Sequence, residues 1–157
     1  MRYNISQNDG GQLFDMVCAK TNNTQIYNNT FYLSKPVDII NNGNGSTGDI
    51  AAFRNNIFYV ATSQASYINT SPLTFDANIF YGDHPTGEPA DTRKVTTDPR
   101  LTAPGTATSR ADAGGYRLRT GSSALANGNA AARPTNAGSP PPRTAATPLP
   151  PSPAACS

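Results

Sequence analysis

A short pattern of aromatic, asparagine and β-branched residues recurs along the first half of the chain and constrains its fold more than any other feature. It reads Ile26-Tyr27-Asn28-Asn29-Thr30-Phe31-Tyr32, then Phe53-Arg54-Asn55-Asn56-Ile57-Phe58-Tyr59, then Phe75-Asp76-Ala77-Asn78-Ile79-Phe80-Tyr81. A weaker copy, Arg2-Tyr3-Asn4-Ile5-Ser6, keeps the asparagine and the β-branched residue but lacks the aromatic pair. Aligned on that asparagine, Asn4, Asn29, Asn56 and Asn78 stand 25, 27 and 22 residues apart. A period in the twenties marks stacked supersecondary units, none of which buries its hydrophobic face alone.

Each period supplies three short strands. In the first, residues 12–19 place Phe14, Met16 and Cys18 on one side and Asp15 on the other, because strand side chains alternate. Residues 21–24 turn the chain, 25–27 form a second strand, and 30–33 a third. The second period repeats this with residues 37–40, 50–54 and 57–60 around an Asn/Gly/Ser loop at 41–48, and the third follows through 67–68, 73–75 and 79–81. Stacking each strand on its equivalent gives parallel ladders and one continuous core.

In that arrangement Asn4, Asn29, Asn56 and Asn78 form a structural ladder, each amide bonding to the next rung about 4.7–4.9 Å away. Asparagine also tolerates the left-handed backbone conformation that a sharp bend requires. Phe31, Phe58 and Phe80 are predicted to stack inside, with Tyr32, Tyr59 and Tyr81 as their outward neighbours. The competing arrangement is an antiparallel sandwich with Asn-rich hairpins. Hairpin turns pair Asn with Gly, whereas Asn28-Asn29 and Asn55-Asn56 are followed by Thr30 and Ile57.

The repeats stop near residue 82. Residues 82–89 and 102–114 are breaker-rich loops, and residues 115–128 read as a strand and a short turn of small residues that end the solenoid. Residues 129–157 hold eight prolines and no acidic residue, the composition of a disordered, polyproline-leaning tail. Out-of-frame translation is a second reading of that tail. The organisation is therefore residues 1–128 as rungs and cap, and 129–157 as tail.

The repeated N-N-[TI]-F-Y units, Asp98-Pro99-Arg100-Leu101, and the ending Tyr116-Arg117-Leu118 with Gly121-Ser122-Ser123-Ala124-Leu125 and Gly128 resemble the last rungs and cap of right-handed parallel β-helix proteins. These are the secreted, pectate-lyase-like polysaccharide lyases, glycoside hydrolases and their relatives. The resemblance covers about residues 2–128 and implies an all-β, right-handed parallel β-helix solenoid of about three rungs with a C-terminal cap. It further implies that the intact parent is extracellular and acts on acidic polysaccharide. Since Met1 falls where a rung would already be under way, the chain is expected to be a C-terminal part whose N-terminal rungs, and any export signal, lie upstream. A non-catalytic carbohydrate-binding or surface scaffold is the alternative.

Among residues that carry chemistry, aligning 14–17 with 37–40 brings Asp15 and Asp38 one rung apart on an outward face, a candidate calcium pair with Lys20, Lys35 or Arg54 as cationic neighbours. Water-screened surface aspartates are the alternative. Tyr32, Tyr59 and Tyr81 are candidate substrate-binding residues, because aromatic faces stack on sugar rings. His84, the only histidine, stands beside Asp83 in a loop and reads as solvated. The spacings of a nucleophile elbow, a phosphate loop or a zinc site do not occur, and the catalytic residues stay unidentified. Cys18 and Cys156 make no disulfide or metal framework. With a net charge of +2 and only 14% charged residues, the chain has no basic stripe for nucleic acid, and no run is long enough to span a membrane as a helix.

Overall fold

The computed structural model describes residues 1–16, 23–42, 51–71 and 73–126. Ten short strands follow one another: β1 (Ile5–Gln7), β2 (Gly11–Asp15), β3 (Thr24–Tyr27), β4 (Thr30–Leu33), β5 (Val37–Asn41), β6 (Ala51–Arg54), β7 (Ile57–Val60), β8 (Ala65–Ile68), β9 (Thr74–Asp76) and β10 (Ile79–Gly82). Each pairs in parallel with the strand three places along, giving sheets β1-β4-β7-β10, β2-β5-β8 and β3-β6-β9. A chain that meets the same three sheets in the same order on every turn is a parallel β-helix. The described residues contain no α-helix, only 3-10 turns at Gly114–Tyr116 and Ser123–Leu125.

The rungs hold together through an interior of like side chains stacked on like. Phe31 lies 5.2 Å from Phe58, and Phe58 5.2 Å from Phe80, with rings inclined by 29° and 12°. A second column pairs Phe53 with Phe75 at 4.8 Å and 8°. Phe14 meets Phe31 and Phe53 edge-on and joins the two columns. Leu33, Ile39, Ile40 and Val60 fill the remaining space and are fully buried. Offset-stacked and edge-to-face pairs each add about 0.5–1.5 kcal/mol beyond the area they bury.

The bend between the second and third strand of each rung divides its work between two residues. Tyr3, Asn28, Asn55 and Ala77 carry the left-handed backbone, with φ of 56°, 55°, 53° and 58°. The ladder asparagines are the residues that follow them. The bending role expected of the ladder asparagine thus belongs to its predecessor, and the ladder asparagine is not among the residues with left-handed backbone.

Two expectations about the C-terminal half are corrected. The strand expected at residues 115–118 is the 3-10 turn Gly114–Tyr116 followed by one antiparallel bridge between Leu101 and Leu118. A side chain at Gly115 would overlap the Ala103 carbonyl, so the chain there folds against residues 100–103 and does not extend into a sheet. Pairing with the edge of the last rung, expected of the segment 115–128, is supplied by Val95: it bridges to Ile79, its N–H donating to Asn78 O at 3.1 Å while Phe80 N–H donates to Val95 O at 2.8 Å. Residues 98–119 double back along the sheet that contains β4 and β7. Cys18, Cys156 and the proline-rich segment lie outside the described residues.

Candidate functional site at the tyrosine face

The outer face of sheet β1-β4-β7-β10 carries Gln7, Tyr32, Tyr59 and Tyr81 in register. Their order follows from alternation along each strand: the preceding residue, Phe in three rungs, points inward. The rings are not a flat platform. Tyr32 and Tyr59 meet at 65° and Tyr59 and Tyr81 at 83°, with centroids 5.2 and 4.8 Å apart. Neighbouring phenols turned edge to face cannot all lie flat against one saccharide chain.

The returning segment treats these positions differently. Tyr116 packs 6.4 Å from Tyr32, and Gly105, at φ 83°, passes so close to the Tyr32 ring that a Cβ there would overlap it. Tyr116 OH donates to Gln7 Oε1 at 2.6 Å and accepts from Gly105 N–H at 3.1 Å. Gln7 completes the clasp, its Nε2 donating to Ala107 O and its Oε1 accepting from Ala107 N–H. Tyr32 is therefore roofed over.

Tyr59 and Tyr81 remain on a groove of about 420 Å³ shared with Thr62, Ser63 and Asp83. Burial, then the neighbouring Tyr81, Tyr32 and Asp98, raises the pKa of Tyr59 above that of a free phenol. The Tyr59 phenol is thus a neutral hydroxyl donor at physiological pH. Gly82 closes the groove at its last-rung end: with φ 96° and the Val60 carbonyl against its Cα, no larger residue fits.

The pairing of Asp15 with Asp38 is corrected. In sheet β2-β5-β8 the register sets Asp38 opposite Gln12 and Asp15 opposite Asn41, three residues out of the expected alignment. The hydrophobic pattern fixes this: Phe14 pairs with Ile40, which lies wholly inside. Asp38 instead accepts a hydrogen bond from the Ser66 hydroxyl of the next rung. Of the expected cationic neighbours, Arg54 belongs to another sheet and donates to Gln25 Oε1 at 2.5 Å, Lys35 is exposed, and Lys20 lies outside the described residues. No group of three or more His, Cys, Asp or Glu able to hold a metal occurs among the described residues.

The asparagine amides bond from rung to rung with a fixed polarity. Asn4 donates through its backbone N–H and its Nδ2 to Asn29 Oδ1, both at 3.0 Å. Asn29 does the same to Asn56 Oδ1 at 3.1 and 2.9 Å, and Asn56 to Asn78 Oδ1 at 3.0 and 2.9 Å. The second Nδ2 hydrogen of each buried member reaches a backbone carbonyl, Tyr27 O, Ile26 O and Phe53 O in turn.

Sequence reasoning missed how the ladder stops. The Asp91 carboxylate, an acceptor only, takes Ala77 N–H, Asn78 N–H and Asn78 Nδ2 at 2.9, 2.9 and 2.7 Å. Beside it Lys94 Nζ sits 4.9 Å above the Phe80 ring and ends the phenylalanine column. Lys94 pairs with Glu88, which also faces His84 Nδ1 at 2.9 Å. His84 is the exposed loop residue expected, and it faces Glu88 at the cap. Asp91 follows Asn78 by only 13 residues, about half a repeat, so the period did not point to it.

Comparison with known proteins returned no matching family model, no matching curated protein and no matching solved structure.

Proposed function

We propose that these rungs are the C-terminal part of an extracellular, pectate-lyase-like parallel β-helix protein acting on acidic polysaccharide, and that saccharide binds in the groove at Tyr59 and Tyr81. The observation that carries this reading is that groove, left open by a segment that roofs over Tyr32. It offers two phenol rings beside the hydroxyls of Thr62 and Ser63 and the Asp83 carboxylate. Sugars present apolar C–H faces and fixed hydroxyls, and sites that hold them combine aromatic surface with a few polar groups. The polysaccharide class itself rests on analogy of fold, which one scaffold shares among many reactions. The lyase or hydrolase chemistry is proposed for the intact parent, with the rungs described here ending the solenoid and holding substrate.

One feature of the groove favours the second reading, a non-catalytic scaffold that binds carbohydrate. Asp83 accepts hydrogen bonds from neutral sugar hydroxyls but repels a uronate. Calorimetric titration of the full chain with polygalacturonate, alginate and a neutral glucan separates these possibilities. Saturable binding that weakens at least about tenfold on Tyr81→Ala supports the groove. Binding unchanged by that substitution, or no binding to any glycan, overturns it. Assayed with the intact parent, growth of unsaturated-uronate absorbance selects the lyase reading, release of reducing ends without it the hydrolase, and binding without product the scaffold.

A further inference from the structure

Charge is unevenly distributed around the tyrosine groove. Its polar walls are Tyr59, Tyr81, Thr62, Ser63 and Asp83, and no lysine, arginine or histidine is among them. The Asp83 carboxylate makes no hydrogen bond or ion pair among the described residues; its backbone N–H alone is engaged, donating to Val60 O at 2.8 Å. The neighbouring cations are committed elsewhere, since His84 faces Glu88 at 2.9 Å and Lys94 pairs with the same carboxylate. Asp98, on the returning segment, adds a second negative charge close enough to act on Tyr59. The groove is thus a place of negative potential, which attracts a cation.

The two rings supply the shape. Tyr59 and Tyr81 stand with centroids 4.8 Å apart at 83°, which rules out a flat platform and makes an inside corner. A compact cation seated in such a corner lies within about 6 Å of both centroids, the range over which an aromatic ring attracts it. The fold holds the corner in place. Both rings grow from paired positions on β7 and β10, and beneath them Phe58 and Phe80 stack at 5.2 Å and 12°.

We propose that this corner, with Asp83 at its side, binds an organic ammonium group. The proposal rests on the reading of the groove as a saccharide site and sides with its second form, in which Asp83 repels a uronate. An ammonium suits both features at once: the right-angled rings that no flat sugar face can cover together, and an acid that a wholly neutral ligand leaves without a counter-charge. A hard metal ion suits neither, because it needs several oxygen ligands and Asp83 is the one carboxylate lining the groove. Ammonium chemistry can arrive on an amino-sugar unit of a glycan or as a small quaternary ammonium. The hydroxyls of Thr62 and Ser63 favour the amino sugar. Thr62 Oγ1 accepts from Gln64 N–H at 3.2 Å, which leaves its own proton to donate to a sugar oxygen.

The test is calorimetry of the full chain with a glucosamine oligomer, its N-acetylated form and a glucose oligomer of the same length and linkage, at mildly acidic pH where free amines are charged. The glucosamine oligomer is expected to bind at least about tenfold more tightly than either neutral one. Asp83→Asn should remove most of that advantage while changing glucose-oligomer binding by less than about twofold. Tyr81→Phe, which keeps the ring, should retain the advantage where Tyr81→Leu loses about tenfold, with circular dichroism confirming that each variant folds. Titration with tetramethylammonium chloride against sodium chloride separates the two sources. Binding of that ion that is lost on Tyr81→Leu, with no oligosaccharide bound, upholds the ammonium site and overturns the saccharide reading. Equal binding of charged and neutral oligomers does the reverse. Tighter binding of a galacturonate oligomer, a glucosamine preference that Asp83→Asn leaves intact, or failure of both the glucosamine oligomer and tetramethylammonium to bind also overturns the ammonium site.

Discussion

The two ends of the asparagine ladder are built from the same repeat and finished in opposite ways. At the Asn78 end, a carboxylate absorbs the outgoing donors, an ammonium group covers the last phenylalanine, and Val95 pairs with the edge of β10. At the Asn4 end, the amide oxygen of Asn4 stands at a cleft, and Ser6 takes the place of the stacked phenylalanine. The difference shows that a ladder of amides is directional although its strands are alike. Donors run toward the C-terminal end, so that end needs an acceptor-only residue and the other needs a donor. Aspartate closes one end because it cannot donate; nothing of its kind could close the other.

The middle of the ladder gives the largest expected effect and tests whether the amides matter at all. Asn56 is wholly buried; Asn56→Ala strands the N–H of Asn29 and one Nδ2 hydrogen of it, frees Ile26 O, and leaves Asn78 Oδ1 with only the backbone N–H of residue 56. Buried groups left unpaired cost about 1–3 kcal/mol each. Urea unfolding should show a loss of about 3–5 kcal/mol, near the upper limit for a single substitution. A loss below about 1 kcal/mol would mean that the phenylalanine columns hold the rungs together and the amides merely follow.

The ends come next, and here the comparison itself is at risk. Asp91→Asn keeps one acceptor oxygen but turns an NH2 group toward Ala77 N–H or toward Asn78, and should cost about 1–3 kcal/mol. Asn4→Ala removes donors from an exposed position and should cost about 0.5 kcal/mol or less in the isolated chain. Parallel unfolding curves of the two variants decide the matter. Equal losses would break the distinction between a closed end and an open one.

How much of this was legible beforehand depended on whether a feature repeats. The rungs, the inward Phe31, Phe58 and Phe80 and the amide ladder could be read because each rung states the pattern again, and a pattern restated at a fixed offset specifies neighbours in space. The exchange of roles between Asn28 and Asn29 was hidden by their identity; only Ala77 before Asn78 and Tyr3 before Asn4 hinted that bend and ladder are separate positions. Asp15 and Asp38 were misaligned because residues 14–17 and 37–40 both alternate apolar with acidic. In the folded chain the burial of Ile40 opposite Phe14 decides the register, and two surface carboxylates carry no weight against it. The returning segment was illegible for a plainer reason. It binds through single side chains such as Gln7 and Tyr116, about a hundred residues apart, and no local pattern records such a contact.

A modest gain, where the other variants lose, is expected at the closed end and asks what covering that end costs. Tyr67, on β8, is sealed by the loop at Gly87, whose Cα presses on the Tyr67 carbonyl, and its hydroxyl has no hydrogen-bond partner among the described residues. Burial, reinforced by the Glu88 carboxylate, holds its pKa well above the ordinary 10.0. The unfolded chain then loses this proton near pH 10 while the folded chain retains it. The stability that follows from the raised pKa is complete below pH 10 and is lost as pH climbs from there toward the folded value. Tyr67→Phe removes both the orphan hydroxyl and the ionisation. Unfolding midpoints should rise by an amount corresponding to about 1 kcal/mol at pH 7, and the decline above pH 10 should become shallower, with Tyr59 and Tyr116, raised by burial in the same direction, supplying the slope that remains. A Tyr67→Phe variant less stable than the parent at pH 7 would mean that the hydroxyl has a partner after all, and that the covered end is closed by polar contacts more complete than those of Asp91 and Lys94.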